Sequence, residues 1–334
     1  MLLLSETEIH TLLTPADALE AMRAGFAAHH AGRVEKPDII ALAFPGEDGE
    51  VHAKASYIHG TPDWAVKVAS LFPGNIEAGL ATHGGLSLVF SATTGYLEAM
   101  LLDNGYLTEL RTGAAGALAA DLMARPDASS VAVIGAGSQA LFQLEALLNV
   151  RRVTSVRVFA RRAAHVERFA LDIRTRFGVT AEVCRSARDA VTDADIVVTA
   201  TSSCEPVVHG EWLAPGTHVT AVGADTPGKR ELDRDCLARA ATIAVDDLGQ
   251  ARTVGELQYA AVEATWDPAK VVTLGAVQSA ERSGRARDSD ITVADLTGVG
   301  FQDAAIASLA YARARGKKLG KEIRVAGLPD EVMT

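Results

Sequence analysis

Gly135, Gly137 and Ala140 stand at the spacing G-x-G-x-x-A within VAVIGAGSQALFQ, residues 131–143, after four apolar residues and at the head of a helix-forming run. At a strand-to-helix turn, the first glycine makes the tight turn and the second lets a pyrophosphate approach the backbone. The small third residue lets the helix pack on the strand. Amides near Ser138 and Gln139 then face the phosphates at a helix N-terminus. The pattern predicts a dinucleotide cradle; the competing reading is a structural glycine turn. The next apolar run ends VFARR, with Ala160 where an acid would take a ribose 2′-hydroxyl, then Arg161 and Arg162. A guanidinium can pair bidentately with a 2′-phosphate, so NADP(H) is favoured, with NAD(H) as the alternative. The competing reading is that both arginines cap the loop in solvent.

Three further charges invite a chemical reading. Lys67 interrupts the apolar strand pattern WAVKVAS. Burying an ammonium is costly unless a partner accompanies it. Arg111 opens RTGAAGALAA, just ahead of the glycine turn. Together they could clamp a substrate carboxylate, the arginine as a fork and the lysine as a point charge. The competing reading is a structural ion pair with an acid such as Glu109. Thr112, the next residue, could touch a cofactor phosphate. Asp225, in AVGADTPGK, lies just past a predicted strand end, where ligands meet an open α/β sheet. Its carboxylate could hold an ammonium or iminium, or protonate an imine nitrogen. Alternatively it is a turn aspartate ahead of Thr226-Pro227. His52, His59 and His83 lack metal-ligand spacing, and no metal site is predicted. Ser138 is not in a G-x-S-x-G nucleophile elbow.

These residues need elements to hold them. Thr14 and Pro15 open a predicted helix that Gly32 ends. KPDIIALAFPGEDGEVHAKASYIHG reads as strands around a GEDG turn, and WAVKVASLF and LSLVFSATTGYLEAMLLD continue the β pattern with a hairpin at Thr94-Gly95. A helix is predicted from Leu107 and ends at Arg125-Pro126. After Pro126 the rhythm changes. VAVIG, helix 138–149, VRVFA, helix 162–177, AEVC and DIVVTAT follow one another, and HVTAVG, TIAVDD and ITVAD come later. Short apolar runs alternating with helices predict a parallel sheet with crossovers. FQDAAIASLAYARARGKK reads as an amphipathic helix returning to the first domain. The predicted class is α/β: a Rossmann-type doubly wound parallel sheet over residues 126–300, plus a second α+β domain built from 1–125 and 301–334.

LLDNGYLTELRTGAAGALAA, then VAVIGAGSQALFQ, VGADTPGKREL and LTGVGFQDAAIA, resemble in order the ornithine cyclodeaminase/mu-crystallin family over nearly the whole chain. The resemblance implies that Lys67 and Arg111 are the family's carboxylate-binding lysine and arginine. It implies that Asp225 is the aspartate that handles protons at the substrate amine in ornithine cyclodeaminases. It places Thr201, Val222 and Gly223 on the nicotinamide side, with Gly298 near the same cleft. It makes the first domain a substrate-binding domain whose sheet builds a homodimer. One region departs from the family. The glutamate that helps place a distal amine in ornithine cyclodeaminases falls at Lys54, and Lys36-Pro37-Asp38 lacks the expected arginine. A second lysine would suit a second carboxylate, as in an iminosuccinate-like substrate; Asp38 would suit a distal amine instead. The favoured activity is an NAD(P)H-dependent reductase or dehydrogenase working at the C=N or CH–NH2 carbon of a small imino or amino acid. The alternatives are an ornithine or diamino acid cyclodeaminase with internal NAD recycling, and a catalytically silent, mu-crystallin-like ligand binder.

Bulk properties narrow the partners. Net charge is −10 over 334 residues, which argues against nucleic acid, since that requires a basic face. No apolar stretch approaches the roughly 20 residues of a membrane helix, and MLLLSETEIH lacks the basic region of a signal peptide. Cys184, Cys204 and Cys236 are odd in number and far apart, which suits a reducing compartment rather than disulfides or zinc. The expected setting is cytoplasmic.

Overall fold

The computed structural model describes residues 1–259 and 267–324. Residues 260–266 of the expected dinucleotide-binding domain and 325–334 of the expected 301–334 segment lie outside the described residues. The described residues pack as two compact units: those of Met1–Arg111 with those from Gly300 to Arg324, and those of Thr112–Val299.

The first unit holds β1 (Leu2–Ser5), α1 (Glu6–His10), α2 (Pro15–His30), β2 (Val34–Glu35), β3 (Ile40–Phe44), β4 (Gly49–Ile58), β5 (Asp63–Leu71), β6 (His83–Ser91) and β7 (Leu97–Leu102). Thr14 caps α2 by accepting from the Asp17 amide, Pro15 occupies the first turn, and Gly32 follows the helix at φ +67°. The strand order is β16-β1-β7-β6-β5-β4-β2, with β3 also on β4; β16 is Lys321–Glu322. The opening run LLLS is β1, parallel to β7. Alternation along β5 turns Asp63, Ala65 and Lys67 to one buried face. The C-terminal helix, Gly300–Lys317, packs on β4, β5 and α2.

α3 (Tyr106–Met123) carries the division between the units. From sequence the break falls at Pro126, where this helix has ended; in the structure it falls inside the helix. The reason is packing. A Cβ on Gly113 would meet the Phe142 carbonyl oxygen at 2.5 Å, and Ala120 and Ala124 join the core around Val131, Leu144 and Val156.

The second unit contains β8 (Ser130–Ile134), α4 (Ser138–Leu147), β9 (Ser155–Phe159), α5 (Ala163–Phe177), β10 (Thr180–Val183), α6 (Ala187–Val191), β11 (Ile196–Thr199), β12 (His218–Ala221), α7 (Arg234–Arg239), β13 (Thr242–Val245), α8 (Leu248–Val254), β14 (Val271–Thr273), α9 (Leu274–Gln278) and β15 (Thr292–Asp295). The C-terminal helix of the first unit is then α10. The sheet runs β10-β9-β8-β11-β12-β15-β13-β14, all parallel. Successive β8 residues feed opposite cores: Val131 and Val133 one layer, Ala132 and Ile134 the other. The two layers of small aliphatic side chains are how a chain with 5% aromatics fills its interior. Strand order reverses between β8 and β11, the place where an open α/β sheet binds ligands at its carboxyl edge.

Candidate active site

In the second unit the glycine turn joins β8 to α4. Gly135 has φ +118°, and a Cβ there would lie 2.4 Å from the Ala200 carbonyl oxygen, so only glycine fits. Gly137 precedes α4 with extended backbone, and a Cβ on it would meet nothing within 4 Å. That open space lies at a helix N-terminus whose first amides have no intrahelical partner. Ala140 is fully buried against the strand layer. A cavity of about 410 Å³ adjoins the turn, lined by Gly137, Ser138 and Leu141 and by His165, Arg168 and Asp172 of α5. These features fit a dinucleotide pyrophosphate. Gln143, not singled out from sequence, ties α4 to α3: its Nε2 donates to the Thr112 carbonyl at 2.8 Å and to Gln139 Oε1 at 3.0 Å. Arg161 and Arg162 are exposed beyond β9.

Further along the same carboxyl edge, Thr201 follows β11 and Val222 and Gly223 follow β12. Asp225 is exposed and takes a hydrogen bond from Lys229 Nζ at 2.7 Å, a partner within its own turn. Gly298, at φ +77°, donates its amide to Asp246 Oδ2 at 2.7 Å. Sequence inspection singled out neither Asp246 nor Glu231, which accepts the Gly223 amide at 2.8 Å. Asp246 ends the run TIAVDD and Glu231 lies in a polar loop segment, where acids read as solvated, yet both are fully buried.

The first unit carries the cations. Lys54 on β4 and Lys67 on β5 sit directly across the antiparallel pair, and both are buried. Like charges opposed across strands repel, so a counter-anion must share the face. Asp303, on α10, supplies one. Its Oδ1 accepts from Arg111 Nε at 2.9 Å, and its Oδ2 lies 3.7 Å from Lys67 Nζ. Burial pushes this carboxyl up, but Arg111, Lys67 and Lys54 outweigh burial and hold it below the usual carboxylate range. The competing reading, an ion pair with an acid, thus has a partner in Asp303, which the amphipathic pattern of α10 did not expose. Neighbouring Gln302 accepts from Arg111 Nη1 at 2.8 Å. Among the described residues, Gln302 Nε2 and Asp303 Oδ2 are buried without a hydrogen-bond partner.

Asp103, just before α3, is the second acid: its Oδ2 accepts the Leu107 amide at 2.9 Å, and burial raises its carboxyl to about 6. Lys54, Lys67 and Arg111 are thus buried in one unit with Asp303 and Asp103, and one of these two acids is reluctant to ionise. Asp38, the alternative for this region, is exposed and does not join the buried charges. His59 pairs with Glu35, and no group of metal-binding side chains occurs among the described residues.

A doubly wound parallel sheet with a glycine-turn cradle, joined to a sheet unit with a buried cationic face, defines a nucleotide-dependent enzyme class. The chain belongs to the ornithine cyclodeaminase/mu-crystallin family, whose pattern matches residues 1–318. It is 33% identical over 325 residues to the iminosuccinate reductase of Paracoccus denitrificans, covering 97% of this chain and 100% of that one. The structure of Thermococcus litoralis Δ1-pyrroline-2-carboxylate reductase with NADH and L-proline superposes with a TM-score of 0.92 at 29% identity, covering 97% of this chain and 100% of that one. An archaeal alanine dehydrogenase dimer with bound NAD gives 0.90 at 36% identity, covering 97% and 99%. These homologues are oxidoreductases of imino and amino acids. Among the described residues, no helix is long and apolar enough to cross a membrane.

Proposed function

We propose that this protein is an NAD(P)H-dependent reductase, or in reverse a dehydrogenase, of a small α-imino or α-amino acid. The observation that carries this reading is the buried grouping of Lys54, Lys67 and Arg111 about Asp303, in a chain that also holds a glycine turn suited to a pyrophosphate. Bound NAD(P)H supplies the hydride. Arg111 and Lys67 bind and orient the substrate carboxylate, and fixing that geometry lowers the barrier by as much as about 7–11 kcal/mol. Arg111 is pre-aligned for this by Asp303 and Gln302. In this reading the ionised Asp225 carboxylate steadies the iminium, whose nitrogen has already taken its proton from solvent. Lys54 gives the pocket capacity for a second acidic group. Thr112, Gly135, Gly137, Ser138, Gln139, Ala140, Thr201, Val222, Gly223 and Gly298 form the cofactor surface. Exposed Arg161 and Arg162, with no acid at Ala160, support NADP(H) over the NAD(H) found in the solved relatives.

The chain acts as a homodimer in this reading. The sheet face away from α10 carries half-buried Trp64, Val66, Leu88 and Phe90, and Ile40, Leu42 and Phe44 of β3 are exposed, an apolar surface of the kind that second copies cover. Unpaired Cys184, Cys204 and Cys236 support a cytoplasmic setting. A second reading, cyclodeaminase, is favoured by the presence of Asp225.

The test is direct. NADPH and NADH consumption is followed with pyrroline-2-carboxylate, and with pyruvate or oxaloacetate plus ammonia; ornithine with trace NAD⁺ is run in parallel. Net cofactor consumption, faster with NADPH, supports the reading. Proline and ammonia formed from ornithine without net cofactor consumption would establish the cyclodeaminase. Cofactor binding with no turnover would leave a silent binder.

A further inference from the structure

Glu231 holds two loops of the second unit with a single carboxylate. It is fully buried, and its oxygens take four hydrogen bonds. Oε1 accepts from the Thr201 amide at 2.6 Å and the Thr201 hydroxyl at 2.7 Å; Oε2 accepts from the Thr199 hydroxyl at 2.6 Å and the Gly223 amide at 2.8 Å. Thr199 ends β11, Thr201 begins the turn after it, and Gly223 lies in the turn after β12. The side chain thus stitches together the exits of two adjacent parallel strands.

The stitch leaves little slack. A Cβ on Gly223 would stand 2.1 Å from the Thr201 carbonyl oxygen and 2.5 Å from the Glu231 carboxyl carbon. Glu231 is in turn pinned through its backbone. Its amide donates to Glu256 Oε1 at 2.8 Å, and the next amide, of Leu232, donates to Glu256 Oε2 at 3.0 Å. Its carbonyl accepts from the amides of Val207 and Val208. A carboxylate is an acceptor with room for four donors, which an amide of the same shape cannot match. The Thr201 amide and hydroxyl hydrogens are both spent on Glu231, so Thr201 offers a cofactor no hydrogen-bond donor.

We propose that Glu231 is a positioning residue for the nicotinamide half of the cofactor site: it fixes where Thr201 and Gly223 stand, and so sets affinity for the reactive ring rather than for the pyrophosphate. The inference rests on the reading that Thr201, Val222 and Gly223 line the nicotinamide. A purely structural carboxylate would lower stability and weaken all nucleotides alike.

The experiment compares NADH with ADP-ribose, which lacks the nicotinamide, by calorimetric titration of the full chain. Glu231→Gln is expected to raise the dissociation constant for NADH at least tenfold while leaving that for ADP-ribose within about twofold, and Glu231→Asp, which keeps the charge, is expected to recover part of the loss. Thr199→Val removes one of the four hydrogen bonds on the strand side and should show the same split at a few-fold, which keeps the test available should Glu231→Gln fail to fold. Equal loss of both ligands, or unchanged NADH affinity, overturns the inference. Where the unaltered protein binds neither, the same comparison is made with NADPH and 2′-phospho-ADP-ribose; if it binds none of the four, the cofactor reading itself falls, and this inference falls with it.

Discussion

The two units bury charge in opposite ways. The first sets Lys54, Lys67 and Arg111 on one face of a sheet with Asp303 and Asp103, and leaves polar atoms of Gln302 and Asp303 without hydrogen-bond partners. The second buries Glu231, Glu256, Asp246 and Asp295, satisfied by backbone amides and hydroxyls. Charges held mainly by ionic partners can exchange a partner for a charged ligand. Charges saturated by amides shape the loops to which those amides belong. The first arrangement is therefore read as substrate chemistry and the second as scaffolding for a cofactor surface.

The largest expected effect breaks the cationic side of this comparison. Asp303→Ala leaves Arg111, Lys67 and Lys54 with their principal counter-charge removed, and urea unfolding should show a loss of roughly 3–5 kcal/mol. A loss below about 1 kcal/mol would mean that the cations are already compensated elsewhere.

The acidic side is tested by pH. Burial raises Asp295 to about 7, and the nearby charges of Asp246 and Glu231 add to the shift. A carboxyl raised in the folded state contributes stability below its unfolded value, and that contribution is lost as pH climbs through the folded one. Stability should therefore fall between about pH 4 and pH 7, by up to about 4 kcal/mol from this group. Asp295→Asn, which keeps an acceptor for the Leu257 amide, should flatten that fall. His218 works in the other direction. Burial lowers it to about 3, so its contribution is lost as pH drops from about 6.5 toward 3. An unchanged profile in Asp295→Asn would show that the acidic cluster does not couple to folding.

Glycine positions separate scaffold from ligand surface more finely. Gly135→Ala forces a Cβ toward the Ala200 carbonyl at φ +118° and should destabilise the fold. Gly137→Ala meets no protein atom, so it should leave the melting temperature unchanged while weakening NADH binding about tenfold, roughly 1.4 kcal/mol. Equal effects of the two substitutions would remove the distinction.

What the sequence showed and what it hid follow from the same physics. The cradle was legible because glycine spacing, an apolar strand and a helix start are all local. That Lys67 would be buried with a partner was legible because a charge in an apolar run is conspicuous wherever it folds. Asp303 was not, since it meets Arg111 across 192 positions of chain and sits in a helix with ordinary amphipathic character. Glu231 was hidden for a related reason: KREL reads as a polar loop, and only the closing of β11 and β12 around it makes it buried. Lys54 and Asp38 were both plausible pocket charges, and only strand pairing separates them, placing Lys54 opposite Lys67 while Asp38 remains exposed.

The central claim is that the cationic face of the first unit binds a substrate carboxylate. It is tested most directly by steady-state reduction of pyrroline-2-carboxylate, or of oxaloacetate plus ammonia, comparing the unaltered protein with Lys67→Met. The expected result is a fall in kcat/KM of at least a hundredfold, about 2.7 kcal/mol, with NADH affinity within about twofold of normal. Undiminished turnover in Lys67→Met, or a parallel loss of NADH binding, would contradict it.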